Sequence, residues 1–251
     1  MTREEEFFQK HLIDLANMAD RRNIVTFTDF LGLNELNIFH SCEKELSFVK
    51  YRAFGGYENA ERQMIAFLPD ALSYEWDYPM KCIRISPLNR KYAEKLTHRD
   101  YLGAILNLGL ERSAIGDILI EEDTAYVFCL ETMADLLCRE LTRIRHTSVN
   151  PVVTEVGELT YRPKSEIIRG SVASVRLDSL LALAFQSSRS KLTELVEGGR
   201  VYVNGRLVTS NGYKIKDQDM ISARGLGRFR YLGNEQETRK KRLFVEIEKF
   251  I

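Results

Sequence analysis

The sequence lacks most of the patterns that declare a chemistry outright. Its 251 residues contain no run of about 18 apolar residues, so no membrane-spanning helix is expected. The N-terminus, MTREEEFFQK, is charged where a secretory signal would be apolar, which points to a cytoplasmic address. Cys42, Cys82, Cys129 and Cys138 form no C-x-x-C pair, so neither a zinc site nor a disulfide framework is indicated and buried, reduced thiols are expected. His11, His40, His98 and His146 make no H-x-x-x-H pair and adjoin no serine or cysteine motif, which leaves them structural or surface roles. No G-x-x-x-x-G-K-[ST] occurs, and Gly225-Leu226-Gly227-Arg228 lacks the third glycine and the strand-then-helix setting of a dinucleotide loop. No cofactor, metal or nucleotide hydrolysis follows from this sequence.

What is present is a hydrophobic content of 44%, enough for a buried core spread over one large or two to three small domains. The formal net charge of zero conceals an asymmetry. Residues 1–160 hold 18 Lys+Arg against 26 Asp+Glu, a balance of −8, whereas residues 161–251 hold 18 against 10, a balance of +8. A segregated basic part is the electrostatic footprint of a phosphate-backbone partner; a solvated basic surface without a ligand would show the same balance.

Along the chain, Thr2 to Glu5 reads as a capping box opening a helix with Phe8, Leu12, Leu15 and Ala19 on one face. A second helical stretch follows TFTDF, and two extended pieces flank Gly55-Gly56, a tight turn or an anion-binding nest near Arg62. These make a small mixed N-terminal unit over residues 1–74. From 75 to 157 the order is strand, helix, strand pair, helix, strand, with Thr97 and Asp100 capping the first helix and Gly109 where a helix stops. That β-α-β-β-α-β order predicts a ferredoxin-like plait, a fold that contacts RNA in many proteins although no RNP1-type aromatic run is present. Residues 158–170, ELTYRPKSEIIRG, read as a linker. The fold class expected is therefore α+β, with a third domain over 171–251.

In that third domain, SVRLDSLLALAFQ places Leu177, Leu180, Leu181 and Ala184 on one helical side. A second helix, capped by Ser188 or Ser190, ends at Gly198-Gly199. The turn between them sets Arg189, Ser190 and Lys191 at a helix N-terminus, where backbone N–H groups already favour an anion. VEGGRVYVNGRLVTS then reads as a hairpin: Val201 and Val203 alternate with Tyr202 and Asn204, and Asn204-Gly205 supplies a type I′ turn beside Arg200 and Arg206. Lys214, Lys216, Arg224, Arg228 and Arg230 fall on outward or loop positions of further short strands. Two helices on a small sheet with exposed cations suit structured RNA, where shape and phosphate contacts dominate.

Arg176-Leu177-Asp178, Ser188-Arg189-Ser190-Lys191 and the segment Gly199 to Gly205 together strongly resemble the S4 RNA-binding domain, with Ser179 and Gln218 departing from the Lys and Gly that many members carry. The stretches FGGYENAER (54–62) and HRDYLGAILNLGLERSAIGD (98–117) further resemble the YlmH family of S4-domain proteins over essentially the whole chain. The resemblance implies a bacterial, non-enzymatic protein, encoded near cell-division genes, that binds structured rRNA and tRNA on the large ribosomal subunit during ribosome-associated quality control of obstructed peptidyl-tRNA. It implies RNA contacts by Arg176, Asp178, Arg189, Ser190, Lys191, Arg200, Asn204, Arg206, Lys214, Lys216, Arg224 and Arg228. Two other readings stay open: a cell-division-linked adaptor whose acidic N-terminal half binds protein, and an RNA-modifying enzyme. Against the latter, Arg176-Leu177-Asp178 resembles a pseudouridine synthase string but is followed by no catalytic-sized domain, so Asp178 is expected to orient Arg176 or cap its helix.

Overall fold

The computed structural model describes residues 2–155, 164–237 and 242–250, without the side chains of Arg189 and of residues 234–237. Two compact units, Met1–Tyr161 and Arg162–Ile251, divide the chain. Among the described residues no helix is long and apolar enough to cross a membrane.

The first unit opens with α1 (Arg3–Arg22), whose capping box is formed: Thr2 N donates to Glu5 Oε2 at 2.8 Å and Glu5 N to Thr2 Oγ1 at 3.2 Å. Leu12 and Ala19 of its predicted face are fully buried, with Phe8 and Leu15 packed at the edge of the same cluster. After β1 (Thr26–Phe27) and α2 (Leu33–Ser41) come β2 (Lys50–Phe54) and β3 (Met64–Leu68), joined as an antiparallel sheet in the order β1-β3-β2. All five residues of β3 are buried because both its faces are covered. Ile65 and Phe67 meet α1 and α2, while Met64 joins Phe30, Met80, Cys82 and Phe128.

Those last three belong to a second sheet made from β4 (Met80–Pro87), β5 (Ile115–Glu121), β6 (Thr124–Leu130), β7 (Arg143–Ile144) and β8 (Thr147–Thr154), in the order β5-β6-β4-β8-β7. With α3 (His98–Leu106) after β4 and α4 (Glu131–Glu140) after β6, its four long strands have the expected β-α-β-β-α-β arrangement, and β7 adds a short edge strand. Ile83, Ile85 and Val127 face Tyr101, Ile105 and Leu137 on the helical side. Burial pushes the Cys82 and Cys129 thiols up to about 12, so neither is a nucleophile at neutral pH.

The two sequence signatures of this unit lock together. Asp117 Oδ2 accepts from Tyr57 Oη and from Glu61 N, both at 2.7 Å, and its Oδ1 accepts from Arg62 N at 3.2 Å. The Arg62 guanidinium donates to the carbonyls of Ile115 (2.8 Å), Phe30 (2.6 Å) and Arg112 (3.0 Å), and is therefore spent inside the fold rather than at a nest. Gly56 has φ 97°, and a Cβ there would lie 2.2 Å from the Phe128 ring, so the glycine lets this loop press against the second sheet. Burial and the neighbouring Arg62 push the Arg112 guanidinium down to about 10. Burial and then Arg112 hold His98 below its ordinary value.

The second unit is a six-stranded antiparallel sheet covered on one face by α5 (Leu177–Phe185) and α6 (Arg189–Glu197). Its strands are β9 (Ser165–Val172), β10 (Val201–Val203), β11 (Arg206–Leu207), β12 (Met220–Ala223), β13 (Gly227–Glu237) and β14 (Leu243–Phe250), in the order β11-β10-β12-β13-β14-β9. Leu177, Leu180, Leu181 and Ala184 are buried against Val201, Val203, Ile221, Phe229, Val245 and Ile247. The linker expected over 158–170 differs from the structure: residues 165–170 are most of β9, paired in unbroken register with β14 from Ser165↔Phe250 to Val172↔Leu243. The remaining linker residues 158–163 lie outside the described residues.

Candidate nucleic-acid interface

The helical pair is set by its caps. Gln186 ends α5 in the left-handed conformation (φ 46°), turning the chain sharply, and Ser188 caps α6 with its hydroxyl 3.5 Å from Lys191 N. Ser190 Oγ stands 3.3 Å from Ser188 Oγ, so the cap is a paired hydroxyl site. Arg189 is the first residue of α6, and its side chain lies outside the described residues. The two helix N-termini differ. On α5 the N–H groups of Leu177 and Asp178 already donate to the carbonyls of Tyr213 and Asn211, at 2.9 and 3.2 Å, so that end is closed by the fold's own loop. An anion near α5 must be held by side chains instead.

Arg176 supplies such a side chain, and Asp178 orients it. The guanidinium Nε and Nη2 lie 3.2 and 3.3 Å from the two Asp178 carboxylate oxygens, a two-pronged pairing that fixes the fork while leaving it half exposed. Lys214 forms a backbone bridge with Arg176, so this pair of cations shares the mouth of α5.

Past α6, the hairpin is anchored by Arg200 N donating to Leu195 O at 3.0 Å. Arg200 and Arg224 then clamp each other: Arg224 N donates to Arg200 O at 2.9 Å, and Arg200 Nη2 donates to Arg224 O at 3.1 Å. Gly225 (φ 83°) makes this turn, since a Cβ there would sit 3.2 Å from Arg200 Nη2. The result is an open hollow of about 490 Å³ between α6 and the 224–226 turn, lined by Lys191, Arg200 and Arg224 with Glu194 at its wall. None of these three cations has an ion-pair partner among the described residues. Three positive charges gathered around one concavity fit an oxyanion such as a phosphate.

Other predicted residues are placed elsewhere. Asn204 and Gly205 have φ 50° and 77°, the expected type I′ geometry. The Asn204 amide is engaged at both ends, donating to Asp219 Oδ1 and accepting from Met220 N, each at 2.8 Å, so it braces the hairpin against the next strand. Asp219 also accepts from Lys216 N at 2.7 Å, and Gln218 adopts φ 68° where the S4 pattern carries glycine; the turn is kept despite the substitution. Arg206 stands on the exposed hairpin edge. Tyr202, which alternates with the core residues Val201 and Val203, is only 2% exposed, with the Arg224 guanidinium 5.2 Å from its ring centroid. Arg228 does not join the hollow. It alternates with Phe229, whose ring is in the core under the helices, and so points from the opposite face of the sheet.

Three domain models match this chain: "YlmH, N-terminal" over residues 4–72, "Putative RNA-binding domain in YlmH" over 74–158, and "S4 domain" over 175–221. The chain belongs to the YlmH family. It is 28% identical over 252 residues to "Ribosome-associated protein quality control protein P2" of Bacillus subtilis (strain 168), covering 98% of this chain and 96% of that protein. Over 51 residues it is 43% identical to "Ribosomal large subunit pseudouridine synthase B" of the same organism, 20% of this chain and 21% of that one. A solved structure, "Cell division protein ylmH from Streptococcus pneumoniae", shares the fold with a TM-score of 0.51 and 22% identity, covering 63% of this chain and 96% of the other. This YlmH-family chain thus carries an RNA-binding S4 domain in its basic second unit, and the S4 match embraces Lys191, Arg200 and the α5–α6 turn. Among the described residues no group of His, Cys, Asp or Glu could hold a metal ion.

Proposed function

We propose that this protein is a non-enzymatic RNA-binding factor that grips structured rRNA and tRNA on the large ribosomal subunit and acts by occupancy, in quality control of obstructed peptidyl-tRNA complexes. The observation that carries the reading is the hollow lined by Lys191, Arg200 and Arg224, which lacks ion-pair partners among the described residues and lies in the part of the chain whose charge balance is +8. Arg176 with Asp178 and Lys214 supplies a second phosphate contact at the mouth of α5, and Arg189 and Ser190 open α6. The names of the two Bacillus relatives, one ribosome-associated and one acting on the large subunit, supply the partner. The first unit, with its RNA-binding-domain match, orients the complex.

The test is co-sedimentation of the full chain with purified large subunits across a salt series. Three to five neutralised phosphates give a log–log slope of about −2 to −5. Lys191→Glu with Arg200→Glu, and separately Arg189→Glu, should each lower the pelleted fraction at least tenfold; Arg189→Glu should melt with the parent, and the double variant slightly below it because the Arg200 bond to Arg224 O is lost. A flat salt response, or pelleting unchanged by these substitutions, favours the adaptor reading, in which the acidic first unit binds a division protein; the name of the pneumococcal neighbour is what keeps that reading in view.

A further inference from the structure

The α5–α6 side is not the sole cationic surface of the second unit. From Arg228 to Tyr231 the side chains of β13 alternate: Phe229 and Tyr231 enter the core beneath the helices, so Arg228 and Arg230 stand on the other face of the sheet. Register sets Phe250 directly across from Arg228, and both guanidinium groups lie over that one ring, at 5.1 and 5.9 Å from its centroid. Strands β9, β13 and β14, which carry much of this face, fall outside the residues matched by the S4 domain.

A guanidinium held over an aromatic ring by cation–π attraction has less rotamer freedom left to lose when it meets a phosphate. Aromatic rings and guanidinium groups also accept unstacked bases without regard to sequence. The carboxylates of the face are displaced from this layer. Glu246 is tied to Arg169 and Glu248 accepts from Ser165 Oγ at 2.8 Å, which draws both toward β9 and leaves the β12–β13 side cationic. Arg230 itself has no ion-pair partner among the described residues, although Glu248 is its cross-strand neighbour.

We infer that this outer sheet face, centred on Arg228, Arg230 and Phe250, is a second RNA site that takes unpaired, single-stranded RNA, while the α5–α6 side takes structured RNA. The inference rests on the proposed RNA-binding function and divides it between two faces of one small domain. Cations that the sequence groups into one surface are thereby separated, and one protein can hold two RNA elements at once.

Two probes separate the sites in the full chain: a labelled uridine 20-mer, which has no structure, and a labelled RNA hairpin with a short, closed loop. Their affinities are measured between 50 and 200 mM salt, with a thermal melt of each variant. Arg228→Glu with Arg230→Glu should weaken 20-mer binding at least tenfold and make its salt slope smaller by about 1.4, two contacts at about 0.7 each for single strands. Hairpin binding by this variant should stay within about threefold. Lys191→Glu with Arg200→Glu should do the reverse, and its failure alone would count against the function proposed above, not against this second site. Arg228→Lys with Arg230→Lys keeps charge but loses the guanidinium groups that lie over Phe250, and should keep the slope while losing several-fold in affinity. If the charge-reversed pair melts below the parent, Arg230→Gln alone carries the test, with a slope change of about 0.7. Parent-like 20-mer binding by the sheet-face variants, or no 20-mer binding by the parent at 50 mM salt, overturns the inference.

Discussion

Replacing Asp117 by alanine tests whether the two signature stretches of the first unit exist to lock it together. The carboxylate takes three hydrogen bonds, from Tyr57 Oη, Glu61 N and Arg62 N, and it faces two partly buried guanidinium groups, Arg62 and Arg112. Hydrogen bonds to a charged group contribute about 1.5 to 3 kcal/mol each when fully buried. Here the site is only half-buried and water can reach Glu61, so about 1 kcal/mol apiece is the appropriate figure. The lost compensation of the arginines adds about another 1 kcal/mol, for a total near 4 kcal/mol. In a unit of this size that lowers Tm by about 8 to 16 °C. Asp117→Asn keeps one acceptor oxygen and should fall about halfway. Differential scanning calorimetry of the full chain at neutral pH reads the effect, assigned to the first unit by amide hydrogen exchange on β5 and β3. A shift under about 2 °C for Asp117→Ala would refute the lock and return these stretches to the list of possible binding sites.

The His98 ring supplies a pH test. Its folded-state pKa lies below the ordinary 6.5 because burial, and then Arg112, disfavours the imidazolium. The unfolded chain therefore binds the additional proton first, so stability falls as pH drops through 6.5 toward the folded value and levels off below it. Urea melts of the parent and of His98→Asn between pH 7.5 and 5 should show the substitution flattening that slope; identical slopes would remove His98 as its source. At the hairpin, Asn204→Ala should destabilise the second unit by about 2 to 3 kcal/mol, from a left-handed backbone without glycine or asparagine and two lost side-chain bonds. Asn204→Gly should recover the backbone part and bind RNA like the parent; a binding loss in that variant without a stability loss would restore Asn204 as an RNA contact.

Local grammar was the legible part of this sequence. The capping box at Thr2–Glu5, the Ser188 cap and the Asn204-Gly205 turn each use residues whose side-chain or backbone chemistry is settled within four positions, and each forms as read. The ferredoxin-like order followed from alternating periods, because four strands and two helices in that sequence have few ways to cover one apolar face. Strand β9 was not legible, since it carries no sustained apolar alternation and owes its existence to pairing with β14 at the far end of the chain. The same distance hid the facing of Arg228 and Arg230. Which side of a strand an arginine occupies depends on register, and a shift of one residue would have carried both to the helical side. Asp117 and Arg62 were visible as part of two signatures, yet their joining by three hydrogen-bonded partners across β5 and the loop before β3 has no local trace.

The division of charge along the chain gives the two units different physical tasks. At physiological ionic strength the screening length is about 8 Å, so an RNA in direct contact with the second unit responds to the charges within about that distance rather than to the net charge of the chain. Net neutrality therefore says nothing against a polyanionic partner; it says that long-range attraction is weak and that affinity must come from contacts. Contacts are what the second unit offers: cations fixed by a backbone clamp at Arg200 and Arg224, by a carboxylate at Arg176, and by aromatic rings at Arg228 and Arg230. On the proposed function, each device lowers the entropy lost when a phosphate binds. A diffuse basic surface would need none of them. On that proposal, an overall charge near zero combined with cations held in fixed geometry would select for an RNA that presents the right spacing of phosphates over the large excess of RNA that does not.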